Sequence, residues 1–154
     1  MNRTERLFKA LDSFAIETPS WGFANTGTRF GKFLQPAAAT TIEEKLADAG
    51  AVHRFTGICP TVAVHVLWDF PKGLQSVPET MALAEKHGVK IGAINPNVFQ
   101  DQIYKHGSLA SPDPEARKAA LAHILESVEI AAATGSRDLS LWFADGTSYP
   151  GTGN

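Results

Sequence analysis

The sequence is poor in cysteine, in net charge and in long apolar runs. One cysteine, Cys59, among 154 residues excludes an intramolecular disulfide and a cysteine zinc cluster. It fits a reducing cytoplasm best. Lys and Arg number 14 and Asp and Glu 16, so the net charge is −2 with histidines neutral. A balance that mild and acidic argues against a nucleic-acid backbone or an anionic membrane as the main partner. No stretch approaches the ~18 apolar residues of a bilayer span. The start, Met1 to Arg6, leads into a mixed polar helix pattern and carries no signal-peptide core. Several nucleotide and hydrolase signatures are missing too. There is no P-loop, and Gly146, Gly151 and Gly153 do not make a dinucleotide fingerprint. No Gly-x-Ser-x-Gly elbow occurs, and no histidine pair has the spacing of a helical metal site.

What is present is ordinary globular material, with 44% hydrophobic and 19% charged residues, which excludes a disordered chain. The length suits one core. Residues 61–67 are β-branched and almost continuously apolar, as a strand buried on both faces reads. A helix is predicted over 78–87, with Gly88 just past its end. A second strand follows at 89–94, then a polar loop over 95–111. The longest helix opens at Asp113, a capping residue, with Pro114 at the first helical position. Leu121, Ile124, Leu125, Val128, Ala131 and Ala132 repeat at helical spacing and predict its buried stripe, with Gly135 ending it. Residues 139–143 form a further strand. Upstream, Thr40 with Glu43 reads as a capping box opening a helix to about Phe55, closed by Gly57. A short first strand is expected near 20–23.

Repeated βα units with apolar strands imply an α/β fold with a parallel sheet and right-handed crossovers. Four such strands in this length are about half of a (β/α)8 barrel, which typically needs about 250 residues. The expectation is therefore a single half-barrel over residues 1–154, a fragment of a longer barrel domain.

In parallel βα folds, ligands meet the loops after the strands. Those positions hold Trp21; His65, Trp68 and Asp69; Asn95, Asn97 and Phe99; and Trp142 with Asp145. The opposite strand ends carry Gly57, Lys90 and Ser136, which read as plain connections. Tryptophans beside Asn, Asp and His at one mouth suit a carbohydrate, because rings stack on C–H faces while polar groups bond hydroxyls. The competing reading makes each tryptophan a core residue. A neutral imidazole at His65 can exchange a proton with a sugar hydroxyl near neutral pH; the alternative is a satisfied core histidine. His53, His87, His106 and His123 read as surface or packing residues. Asp69 and Asp145 suit either metal and hydroxyl contacts or turns and caps. Cys59 lies at a strand entrance and reads as structural. Arg29 and Lys32 read as a solvated loop in preference to a phosphate site.

At these same residues the chain resembles the L-rhamnose isomerase family, in its broad-specificity bacterial sugar isomerase branch. The matching pieces are Pro19-Ser20-Trp21-Gly22, Gly27-Thr28-Arg29-Phe30, Val64-His65-Val66-Leu67-Trp68-Asp69 and Asn95-Pro96-Asn97-Val98-Phe99. They continue through Tyr104 to Leu109, then Leu141 to Gly146 and Tyr149-Pro150-Gly151, in family order. The resemblance implies the N-terminal half of a xylose-isomerase-like (β/α)8 barrel. It implies an aldose–ketose isomerase acting on a small monosaccharide, with a divalent metal, manganese, as cofactor and a homo-oligomer when full length. By position, His65 matches a histidine that hydrogen-bonds substrate and assists ring opening. Trp21, Trp68 and Trp142 match pocket walls. Phe99 matches an aromatic that reaches into a neighbouring subunit's site. The family's metal ligands lie on later strands, so no metal ligand is assigned here. Two alternatives stay open: a sugar epimerase of the same fold, and a non-catalytic carbohydrate-binding half-barrel that needs a partner chain. A half-barrel would also expose sheet edges and an apolar face.

Overall fold

A computed structural model of the chain describes residues 2–25 and 35–143. The helices are α1 (Arg3–Asp12), α2 (Ile42–Thr56), α3 (Val66–Asp69), α4 (Val77–Lys86) and α5 (Pro114–Thr134). The strands are β1 (Glu17–Pro19), β2 (Thr61–His65) and β3 (Lys90–Asn95). They form one three-stranded sheet in the order β1-β2-β3, parallel throughout. Chain order and sheet order coincide, as expected when each strand is followed by a helix and returns beside its predecessor.

The local signals act as their chemistry requires. The box that opens α2 pairs Thr41 with Glu44, one residue later than expected. Thr41 Oγ1 accepts from Glu44 N at 3.2 Å, and Glu44 Oε2 accepts from Thr41 N at 3.1 Å. Either Thr–Glu pair satisfies the spacing; the structure leaves Glu43 to meet Lys86 of α4. Asp113 accepts from Glu115 N at 2.9 Å, with Pro114 first in α5. Gly57 and Gly135 both close their helices at φ 74°, a conformation that costs other residues a clash with their own Cβ.

Side chains alternate along β2. Val62 and Val64 join the core with Leu46 and Ala49 of α2, Ala84 of α4, Ile91 and Ile94 of β3, and Ile130 of α5. Ala63 and His65 take the other face. Gly50 of α2 lies so near the end of α4 that an added Cβ would sit 2.3 Å from the His87 carbonyl oxygen. The β2–β3 register steps from Val62↔Ile91 to Val64↔Ile94, an extra residue in β3. Such a bulge leaves a ladder group unpaired. The Ala93 N–H there donates to Glu17 Oε2 at 3.0 Å, so a β1 side chain closes the gap.

Four expectations shift. The strand over 61–67 ends at His65, and the chain turns at once into α3. Residues 20–23 are a 3-10 turn, with the strand just before them. The strand over 139–143 reduces to one bridge, Ile94 with Leu139, held by Ile94 N to Asp138 O at 2.9 Å and Ser140 N to Ile94 O at 2.8 Å. The stripe expected to be buried on α5 is largely its outer face: Leu121, Leu125 and Val128 are 51%, 54% and 46% exposed. Ala116, Ala120, Ser127, Ile130 and Thr134 are buried instead. Small residues let α5 lie close to the sheet, and the hydroxyls of Ser127 and Thr134 are satisfied by the carbonyls of His123 and Ile130.

Candidate functional site

Each candidate residue leaves a strand at its C-terminal end. Trp21 lies in the 3-10 turn after β1. His65 is the last residue of β2, and Trp68 sits on α3 immediately beyond it. Phe99 follows β3, and Trp142 follows the Leu139 bridge. The structure brings all five rings together. His65 stacks on Trp68 with centroids 3.8 Å apart and planes at 23°. Trp21 meets His65 edge-on at 5.9 Å and Trp68 at 6.4 Å. Phe99 meets His65 at 5.7 Å and Trp142 at 4.6 Å, both near perpendicular. The four edge-on separations fall in the attractive range for aromatic pairs, and the His65–Trp68 stack is closer still. Trp142 is 52% exposed and forms the outer end of the row. Phe99, which the resemblance directs toward a neighbouring subunit, packs here against rings of its own chain.

His65 is 4% exposed. Burial pulls its pKa down to about 4; Asp69 pushes upward, while His123 and Lys45 add to the lowering. At neutral pH the ring is therefore uncharged, with one nitrogen able to donate and one to accept. Its Nδ1 is buried and has no hydrogen-bond partner among the described residues.

Asp69 takes the capping role weighed for it, accepting the main-chain N–H of His65 at the start of α3, and does more. It is fully buried, and its carboxylate ties three segments together. Oδ2 accepts from Ser20 Oγ at 2.5 Å and from His65 N at 2.8 Å, while Oδ1 takes Lys45 Nζ at 2.7 Å. Ser20 adjoins Trp21 and Trp68 adjoins Asp69, so one carboxylate anchors the backbone beneath three of the rings. Ser20 lies in the Pro19-Ser20-Trp21-Gly22 piece without a role of its own there, and Lys45 carried no motif in the sequence. The only signal for Lys45 was its place on the buried face of α2, one turn before Ala49.

A second network sets the Trp68 ring. Its Nε1 donates to Gln100 Oε1 at 3.0 Å, and Asn97 Nδ2 donates to the same oxygen at 2.8 Å. Asn97 N donates to His123 Nε2 at 3.0 Å, so His123 of α5 is a packing histidine with a defined tautomer. Burial also lowers its pKa. Asn95 donates to Val64 O at 3.0 Å and serves the strand end. Cys59 is buried and free at the start of β2. Arg29, Lys32 and Asp145 lie outside the described residues.

Among the described residues, no three His, Cys, Asp or Glu side chains converge as metal ligands. The Asp69 carboxylate is already spent on Ser20, Lys45 and the His65 N–H. These residues therefore do not fit a divalent metal. A separate cleft of about 850 Å³ opens at the opposite strand ends, between Pro60, Met81, Glu85, Lys90 and Gly135. It carries none of the five rings and lies where βα folds place connections. No described helix is long and apolar enough to cross a membrane.

The fold and this site define a parallel α/β protein with an aromatic, histidine-bearing surface at its strand ends. No protein-family profile matches the chain. It is 37% identical over 150 residues to a "probable sugar isomerase" of Rhizobium meliloti, covering 92% of this chain and 34% of that protein. A second "probable sugar isomerase", from Mesorhizobium japonicum, is 34% identical over 94% of this chain and 34% of its own length. A xylose isomerase of Thermus thermophilus is 33% identical over 58 residues, 38% of this chain and 15% of that enzyme. Nearly all of the chain is thus similar to proteins named as sugar isomerases, and it spans about a third of their length.

Proposed function

We propose that this chain supplies the monosaccharide-facing part of an aldose–ketose isomerase of the L-rhamnose type, built on a xylose-isomerase-like barrel. The single observation that carries the reading is the buried, uncharged His65, stacked on Trp68 and ringed by Trp21 and Phe99, with Nδ1 unpartnered. The names of its relatives point the same way. A sugar laid against Trp21, Trp68 and Trp142 would bury its C–H face on the rings. A ring hydroxyl would give His65 Nδ1 the partner it lacks, which offsets the cost of leaving a buried polar atom unsatisfied. In that position a neutral imidazole can take the hydroxyl proton as the sugar ring opens. Phe99 closes the wall between His65 and Trp142.

The divalent metal of this reading, manganese, would polarise the sugar's carbonyl and hydroxyl oxygens when bound. Its ligands would be residues other than those described here. The free, buried Cys59 suits a cytoplasmic enzyme. The test is incubation of the complete isomerase containing this chain with L-rhamnose and Mn²⁺, followed by product analysis. L-rhamnulose is the expected product, and His65→Ala is expected to lower turnover by about two orders of magnitude, the usual worth of a proton-transfer group. An epimerised sugar would assign the sister chemistry on the same fold. Binding without turnover would favour the non-catalytic reading. Unchanged turnover in His65→Ala would remove His65 from the mechanism.

A further inference from the structure

An ion pair closed off from water is an unusual foundation for a wall of aromatic rings. Lys45 is 5% exposed and Asp69 0%. Removing two charges from water is costly, and an apolar pair of similar volume is often as stable or more so. Such pairs are understood better when they fix one arrangement among several. Here the arrangement is specific. The Asp69 carboxylate meets Ser20, next to Trp21, and the main-chain N–H of His65, while its own backbone continues from Trp68. Lys45 comes from a separate element, α2, and takes the remaining oxygen.

We propose that Lys45 is a positioning residue for the ring site: paired with Asp69, it holds the two backbone segments that present Trp21 and the His65–Trp68 pair in a single arrangement against α2. The role in sugar handling rests on the proposed function, but the geometry can be tested without any sugar. Rotation of the Trp68 ring is separately limited by Gln100. What Lys45 sets is therefore where the rings stand relative to one another.

Proton–nitrogen correlation NMR of the chain reads the indole N–H of each tryptophan and the ring nitrogens of His65. Lys45→Met keeps the length and removes the charge. Its expected effect is displacement or broadening of the Trp21 and Trp68 indole signals, with a smaller change at Trp142. The His65 titration is expected to move to higher pH, because a positive neighbour is gone. Monosaccharide affinity is expected to fall about tenfold or more, as misplaced contacts do. A lower melting temperature with unchanged indole signals would make Lys45 merely structural and overturn the proposal. If Lys45→Met does not fold, Lys45→Met with Asp69→Asn leaves no lone buried charge and is read in the same way. Displaced indole signals in that pair support the proposal, and parental signals overturn it. If the signals respond but the parent chain binds no monosaccharide, positioning stands and the sugar reading fails.

Discussion

The two ends of the sheet are built from the same repeated unit and look nothing alike. At the N-terminal ends of the strands, Gly57, Gly88 and Gly135 turn the chain at φ 74°, 73° and 74°, with open space where a Cβ would be. Backbone conformation sets those connections, helped by short-range side-chain bonds from Thr56 and Ser136. At the C-terminal ends, five rings, one of them the uncharged His65, are packed with a buried carboxylate and a buried lysine. The same strands thus end in generic turns on one side and in specific chemistry on the other. A βα unit needs only a way to reverse direction, and glycine supplies it cheaply. The side chains free to diversify are those at the other end, where loops can change without disturbing the core.

The largest test of that contrast is Asp69→Ala. It strands the Lys45 ammonium and leaves the Ser20 hydroxyl and the His65 N–H unpaired. The expected loss is about 3–5 kcal/mol in denaturant unfolding, the scale for breaking a buried pair. A loss near zero would mean the C-terminal end is no better organised than the other.

The next largest is pH. His65 has a folded pKa of about 4, below the ordinary histidine value of 6.5. The unfolded chain therefore binds the proton more readily. Stability is full above the unfolded value and falls as pH drops from about 6.5 towards 4, by up to about 3 kcal/mol at 1.36 kcal/mol per pKa unit. His123, also lowered, acts in the same direction. His65→Gln is expected to flatten much of this slope, and an unaltered slope would show that His65 is not the group responsible.

The smallest effect belongs to the connecting end. Gly135→Ala places a Cβ at positive φ with no neighbouring atom within 4 Å, so stability should fall only by the left-handed backbone strain, about 1–2 kcal/mol. The tryptophan fluorescence spectrum should not change. A shifted spectrum would mean that the two ends are coupled through α5.

Much of this was legible beforehand. The helix caps at Asp113 and Gly135 and the apolar run around Val62 and Val64 are local signals, and they placed α5 and β2. Ordering the strands then brought Trp21, His65, Trp68, Phe99 and Trp142 to one end. The stripe on α5 was not legible. Its two long faces are both apolar or small, so helical spacing alone could not say whether Leu125 or Ala120 faces the sheet. The sheet chose the alanine face because it permits closer approach. Nor could spacing choose between Thr40 and Thr41 as the cap of α2, since both have a glutamate three residues on.

The sequence by itself determined the βα rhythm, the points where helices start and stop, and which residues leave the strand ends. Those depend on backbone conformation and on residues close in the chain. Only the tertiary structure decided that Lys45 meets Asp69 across 24 positions, that Ser20 joins them, and that Glu17 closes the bulge at Ala93 across 76. A charge gives no sign in a sequence of whether it will be solvated or paired. That depends on which distant segment displaces the water around it, and packing settles it.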